Sequence, residues 1–154
     1  MTQTLQLANP DTTAGSAAEG DALPILLTGL TGFLGFEVLE ATLGRVKARL
    51  VLRDDLMLAR GNYLHAGTVA AFADSCAGYG CWTSLPPDVG GFTTGELKIN
   101  LVATTRMPDA LICVAQILHS GHRTQVWDAT VTRERDGRDV AHYRCTQHLL
   151  PVQR

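Results

Sequence analysis

Polar and apolar residues alternate along much of this chain, and one long stretch departs from the alternation. Arg45 to Arg53 sets Val46, Ala48, Leu50 and Leu52 on one face and Arg45, Lys47, Arg49 and Arg53 on the other, which predicts a half-buried strand. Gly35 to Thr42 reads as its predecessor, with a turn at Leu43-Gly44. Glu96 to Val102 alternates again, Leu97, Ile99 and Leu101 lying opposite Glu96, Lys98 and Asn100. Leu111 to Leu118 is a nearly continuous apolar run of strand length that stops at His119-Ser120-Gly121. Arg123 to Arg133 is rich in Thr, Val and Trp, and places Trp127, Ala129 and Val131 opposite Asp128, Thr130 and Thr132. Asp136-Gly137 is a hairpin signal before a last strand, Val140 to Leu150.

The exception is Ala66 to about Ser84, which reads as one helix closed by Pro86-Pro87. The predicted order is strand, strand, long helix, then four strands joined by short turns. Short turns between neighbours demand antiparallel pairing. A single long helix with an Ala/Gly-rich side can lie close against a curved sheet, so the fold class is α+β: an antiparallel sheet of five to six strands around one central helix.

Composition narrows the classes. A chain of 154 residues with 45% hydrophobic content suits one domain with a buried core. A net charge of −2, from 13 basic and 15 acidic residues, lacks the basic surface of a general nucleic-acid binder. Met1 to Asp21 has neither the basic start nor the apolar core of a signal peptide. We read residues 1–22 as a disordered leader and 23–154 as the domain. Leu23 to Phe36 is apolar but short and broken by Gly29, Gly32 and Gly35, so no membrane span is expected and the location reads as cytoplasmic. Cys76, Cys81, Cys113 and Cys145 form no C-x-x-C pair and sit in apolar runs, as structural thiols of a reduced compartment do. His119 and His122 flank a turn with no acid or cysteine beside them, so no metal is expected.

Asp74 is the residue that asks for chemistry. With the helix starting at Ala66, Thr68, Ser75, Tyr79, Trp82 and Thr83 gather on one side. Asp74 stands instead among Gly67, Ala70, Ala71, Ala77, Gly78 and Cys81. Asp is a poor mid-helix residue because its carboxylate competes for backbone groups. It is either solvated at a helix edge or tied to Ser75 or Tyr63, or it works in a cleft. Trp127 and Trp82 read as core.

This element order, a histidine-small-glycine helix start at His65-Ala66-Gly67 and an acid nine residues after the histidine, in Phe72-Ala73-Asp74, resemble the hotdog-fold thioesterases. The similarity is to the phenylacetate-degradation and 4-hydroxybenzoyl-CoA thioesterase branch, and Thr93 to Asn100 resembles that branch's strand after the helix. Two departures stand out. Ala66 replaces the usual Gly, and Ala59 stands where an Asn or Gln is frequent six residues before the histidine. Asn62 is the candidate to replace that side chain, or else it turns the Gly61-Asn62 loop.

The resemblance implies hydrolysis of acyl-CoA thioesters, aryl or medium-chain, with coenzyme A as part of the substrate and no other cofactor. Asp74 would be the base or nucleophile, and the N–H groups of Ala66 and Gly67, expected as unpaired first-turn donors, would form the oxyanion hole. His65 would fix the loop, and Thr94 would lie near the water or thioester unless it is an ordinary strand Thr. Arg123, with Arg106 second, would meet a coenzyme A phosphate. Eight residues of helix set Ala66 and Asp74 ~12 Å apart at ~1.5 Å per residue, too far to serve one carbonyl. A homodimer that pairs Ala66 of one chain with Asp74 of the other solves this, and the resemblance extends it to a dimer-of-dimers tetramer. The alternatives are a hotdog module that binds acyl-CoA without turning it over, and a hotdog dehydratase.

Overall fold

In the computed structural model of the protein, residues 29–152 are described, and the expected leader lies outside them. The elements are α1 (Gly29–Leu34), β1 (Glu37–Thr42), β2 (Arg45–Val51), α2 (Ala66–Thr83), β3 (Val89–Leu101), β4 (Ala110–Ser120), β5 (Thr124–Arg133) and β6 (Asp139–Pro151). The six strands form one sheet in the order β1-β2-β4-β5-β6-β3, and every neighbouring pair is antiparallel. Among the described residues no helix is long and apolar enough to cross a membrane.

The alternating faces do what their spacing demands. Val46, Ala48 and Leu50 of β2 are fully buried, as are Trp127 and Val131 of β5. They meet the face of α2 that carries Val69, Phe72, Ala73, Cys76, Ala77 and Cys81. Gly80 permits the close approach, because a Cβ there would stand 2.5 Å from Cζ3 of Trp127. The Trp127 indole N–H is satisfied by Gln125 Oε1 at 2.9 Å, and Gln125 donates in turn to the Ser84 carbonyl at 3.0 Å. All four cysteines are free and buried.

Three expectations need correction. The stretch before β1 includes a short helix, α1, which ends at Gly35 (φ 66°). Arg53 is not an outward strand residue; it lies past the end of β2, and its guanidinium donates to the Leu34 and Phe33 carbonyls. β3 begins at Val89 rather than Glu96, and it pairs with β6 rather than β4. Residues 102–109 carry the chain past the start of α2, where Leu64 donates to the Thr105 carbonyl at 3.0 Å. That crossing separates β3 from its sequence neighbour and leaves it on the sheet edge.

Candidate active site

The site is built from the start and middle of α2 and from the facing strands β3 and β6. Leu58 donates to the Tyr63 carbonyl at 2.8 Å, closing a tight loop whose tip holds Gly61 (φ 91°) and Asn62 (φ 54°). Asn62 is thus a left-handed turn residue. It is exposed, and its side chain has no hydrogen-bond partner among the described residues.

His65 caps the helix. Its extended backbone (φ −74°, ψ 132°) turns the chain into α2, and its Nδ1 accepts the Gly67 N–H at 2.8 Å. This corrects one expectation: the Gly67 amide is not unpaired. The Thr68 and Val69 amides reach the His65 carbonyl. Ala66 keeps the one first-turn N–H with no partner among the described residues, and it is exposed.

Asp74 is half-buried, and neither Ser75 nor Tyr63 holds it. Its Oδ1 accepts from the Tyr143 hydroxyl at 2.6 Å and lies 3.5 Å from Thr94 Oγ1. Thr94 donates more closely to Gln147 Oε1, at 3.0 Å, and Gln147 Nε2 lies 3.3 Å from Cys145 Sγ. Oδ2 has no partner among the described residues, and no buried side-chain polar atom there lacks one, so Oδ2 faces open space. Burial first, and then the carboxylate of Asp74, push the Tyr143 phenol well above its ordinary pKa. It therefore stays protonated as a donor.

The small-residue surroundings of Asp74 divide in two. Ala77 and Cys81 are fully buried against the sheet and line no cleft, whereas Ala70, Ala71, Ser75 and Gly78 stay half-buried around the acid. Thr68 belongs to the buried side as well, its hydroxyl donating to the Leu56 carbonyl at 2.8 Å. Trp82 is 54% exposed and is not core. Past Thr94, β3 pairs Leu97, Ile99 and Leu101 with Cys145, Tyr143 and Ala141, so they share the inward face of β6. Leu97 is nevertheless 48% exposed and Leu101 45%. The edge strand thus leaves apolar side chains open on its inward face.

The two arginines part company. Arg106 bridges Tyr63 through the backbone, and its guanidinium lies 3.9 Å from the centre of the Tyr63 ring, close to the start of α2. Arg123 borders a cleft of about 530 Å³ with Asp88, Val89, His122, Leu149 and Pro151, beyond the other end of α2. An 18-residue helix is ~27 Å long, so one chain does not bring the two arginines together.

Tyr143 and Gln147 were not singled out from the sequence. A signal existed: the alternation of Val140 to Leu150 puts both on the inward face with Ala141, Cys145 and Leu149, and a buried Gln needs partners.

Residues 61–140, from the loop before α2 to the start of β6, match the Thioesterase superfamily. The chain belongs to that superfamily. Its six-stranded antiparallel sheet around one main helix is the hotdog fold of these enzymes. The thioesterase is 28% identical over 106 residues, 69% of this chain and 84% of the relative, to 1,4-dihydroxy-2-naphthoyl-CoA hydrolase of Listeria monocytogenes. Among solved structures it is similar to AziG of S. sahachiroi, with a TM-score of 0.75 and 26% identity over 82% of this chain and 99% of that one. It shares its fold with the PaaI protein of the E. coli phenylacetic acid degradation operon, with a TM-score of 0.70 and 19% identity over 77% and 82% of the two chains. The family makes this chain a thioester hydrolase rather than a passive binding module, with acyl-CoA hydrolysis as its general activity.

Proposed function

We propose that this thioesterase hydrolyses acyl-CoA thioesters with a bulky acyl group, aryl or medium-chain, releasing the free acid and coenzyme A. The observation that carries the reading is the divided carboxylate of Asp74, one oxygen held by Tyr143 and the other without a partner among the described residues, while the half-exposed Leu97 shares the inward face with Cys145. The Listeria relative, by its name, acts on an aryl thioester, which supports the aryl end of the range.

As a base, Asp74 Oδ2 takes a proton from water while the water oxygen attacks the thioester carbon. The carbonyl oxygen becomes an oxyanion, and the Ala66 N–H donates to it at the positive end of the helix. Collapse breaks the C–S bond, and the proton passes from Asp74 to the leaving thiolate. As a nucleophile, Oδ2 attacks the carbon itself, the thiolate leaves, and water then hydrolyses the mixed anhydride. Thr94 lies beside either path. The Gly67 amide joins the oxyanion hole only if the His65 ring turns away. Arg106, near Ala66, comes ahead of Arg123 as the contact for a coenzyme A phosphate. Asn62 serves the loop.

The two halves of the site come from different chains. Ala66 and Asp74 share one helix too far apart to meet one carbonyl, Ala66 being exposed and Asp74 half-buried. A homodimer across α2 and the open edge of β3 supplies the missing half, and a dimer of such dimers extends it. Release of free thiol from acetyl-, hexanoyl-, phenylacetyl-, benzoyl- and palmitoyl-CoA tests the reading. Turnover of the aryl and hexanoyl substrates ahead of acetyl-CoA is expected. Turnover of none, or of palmitoyl-CoA alone, would overturn it.

A further inference from the structure

Tyr143, Cys145 and Gln147 occupy successive inward positions of β6, directly across from Asp74 and Thr94. Tyr143 is 3% exposed and Gln147 is fully buried. The five side chains form a chain of contacts: Tyr143 to Asp74 at 2.6 Å, Asp74 to Thr94 at 3.5 Å, Thr94 to Gln147 at 3.0 Å and Gln147 to Cys145 at 3.3 Å. The lengths are unequal, and the inequality carries information. Thr94 has one proton and lies nearer to Gln147, so its proton points to the amide. Gln147 is held at both ends, Oε1 accepting from Thr94 and Nε2 directed at Cys145. Asp74 Oδ1 is left with a single close donor, Tyr143.

A carboxylate on a short side chain turns easily about its last torsion. Reaction needs its free oxygen within a narrow approach to the carbonyl carbon or to water. We propose that Tyr143 and Gln147 are positioning residues for the hydrolysis. Tyr143 pins Oδ1 so that Oδ2 alone is presented to the reacting groups. Gln147 draws off the Thr94 proton so that the Thr94 oxygen faces the same space as an acceptor, suited to a water hydrogen. The proposal rests on Asp74 being the base or nucleophile. A core tyrosine that merely found a partner for its hydroxyl would show the same contact, so the test must separate the two roles.

Tyr143→Phe removes only the hydroxyl. In the full-length protein, a fall in kcat on the order of tenfold or more is expected, with KM for hexanoyl-CoA within twofold, because misplacement of a reacting group costs rate rather than binding. In an Asp74→Asn background the same change should cost nothing further, since Tyr143 acts through Asp74. Equal factors in both backgrounds, or an unchanged kcat for Tyr143→Phe when Asp74→Asn is inactive, would overturn the role of Tyr143. An active Asp74→Asn would sink the reading beneath it and the proposal with it, a result distinct from the other two. Gln147→Leu should lose rate while Gln147→Glu, which keeps an acceptor for Thr94, recovers it. This pair decides the matter even if Tyr143→Phe fails to fold. Equal loss in both Gln147 variants at matched stability counts against the proposal.

Discussion

His65 and Gly67 close the first turn of α2 on themselves, the imidazole Nδ1 accepting the Gly67 N–H at 2.8 Å. The contact gives the histidine a defined structural task and leaves Ala66 with the one first-turn N–H that has no partner among the described residues. It also separates two roles that the histidine-small-glycine pattern leaves merged, capping and catalysis.

If His65 is a cap, His65→Ala should lower stability by about 1 kcal/mol, the usual cost of removing a side-chain cap. His65→Ser should hold it near the starting value. Urea denaturation midpoints provide the measurement. A rate loss above ~10²-fold with little change in midpoint would instead make His65 a proton-transfer group.

Asp74→Asn should reduce kcat by at least ~10²-fold while leaving circular dichroism and oligomeric state unchanged. Ala66→Pro should be silent toward the fold, because proline suits the first helical position and His65 already has the extended backbone that a residue before proline prefers. It removes the free N–H, so it should be inactive alone. Mixed dimers of the two variants should recover one working site of the two. Mixed dimers shown to form but without recovered activity would rule out a shared site.

The proposed preference for a bulky acyl group sets a measurable gap between substrates. At ~0.8 kcal/mol per buried methylene, hexanoyl-CoA should exceed acetyl-CoA by more than about tenfold in kcat/KM. Ala70→Leu, beside the half-buried acid, should narrow that gap. Ala77→Leu should destabilise the protein instead, because Ala77 is fully buried against the sheet. Equal kcat/KM for acetyl-, hexanoyl- and phenylacetyl-CoA would refute the pocket.

Gly80→Ala places a methyl 2.5 Å from the Trp127 ring. Overpacking of this kind costs ~1–3 kcal/mol. The melting temperature should fall, while activity per folded molecule stays the same.

The thiols should be silent in the native state. All four cysteines are buried, and burial pushes the Cys81 thiol up to about 12. Ellman's reagent should find no reactive cysteine until the protein is unfolded, when four appear. Rapid labelling of the folded protein would show that the core opens. Silence also means that a thiol-release assay reads coenzyme A alone.

The strands that pack one face against α2 were legible because period-two alternation is local. Val46, Ala48 and Leu50 needed no knowledge of their neighbours. The first half of β3 was not legible. Gly90, Gly91 and Gly95 interrupt it, and irregularities between Val89 and Gly91 and between Thr94 and Glu96 switch its pleat, so alternation read back from Glu96 loses phase. A Cβ at Gly95 would meet the ring of the exposed His148, which would have to move. Asp74 was legible as an acid out of place on a helix. Its partner was not, because Tyr143 stands 69 residues away and only the tertiary pairing of β6 with β3 and α2 brings it near. The same limit hid the capping of Gly67, which depends on a rotamer of His65 rather than on spacing.

β3 leaves one flank of its backbone unpaired at the sheet edge, beside Leu97 and Leu101. An isolated chain therefore exposes a row of amides and carbonyls next to a greasy strip, the template on which chains add to one another without limit. Association with a second copy would turn that hazard into a closed contact. Dilution or a weakened interface should then cost this protein its solubility before it costs the chain its fold.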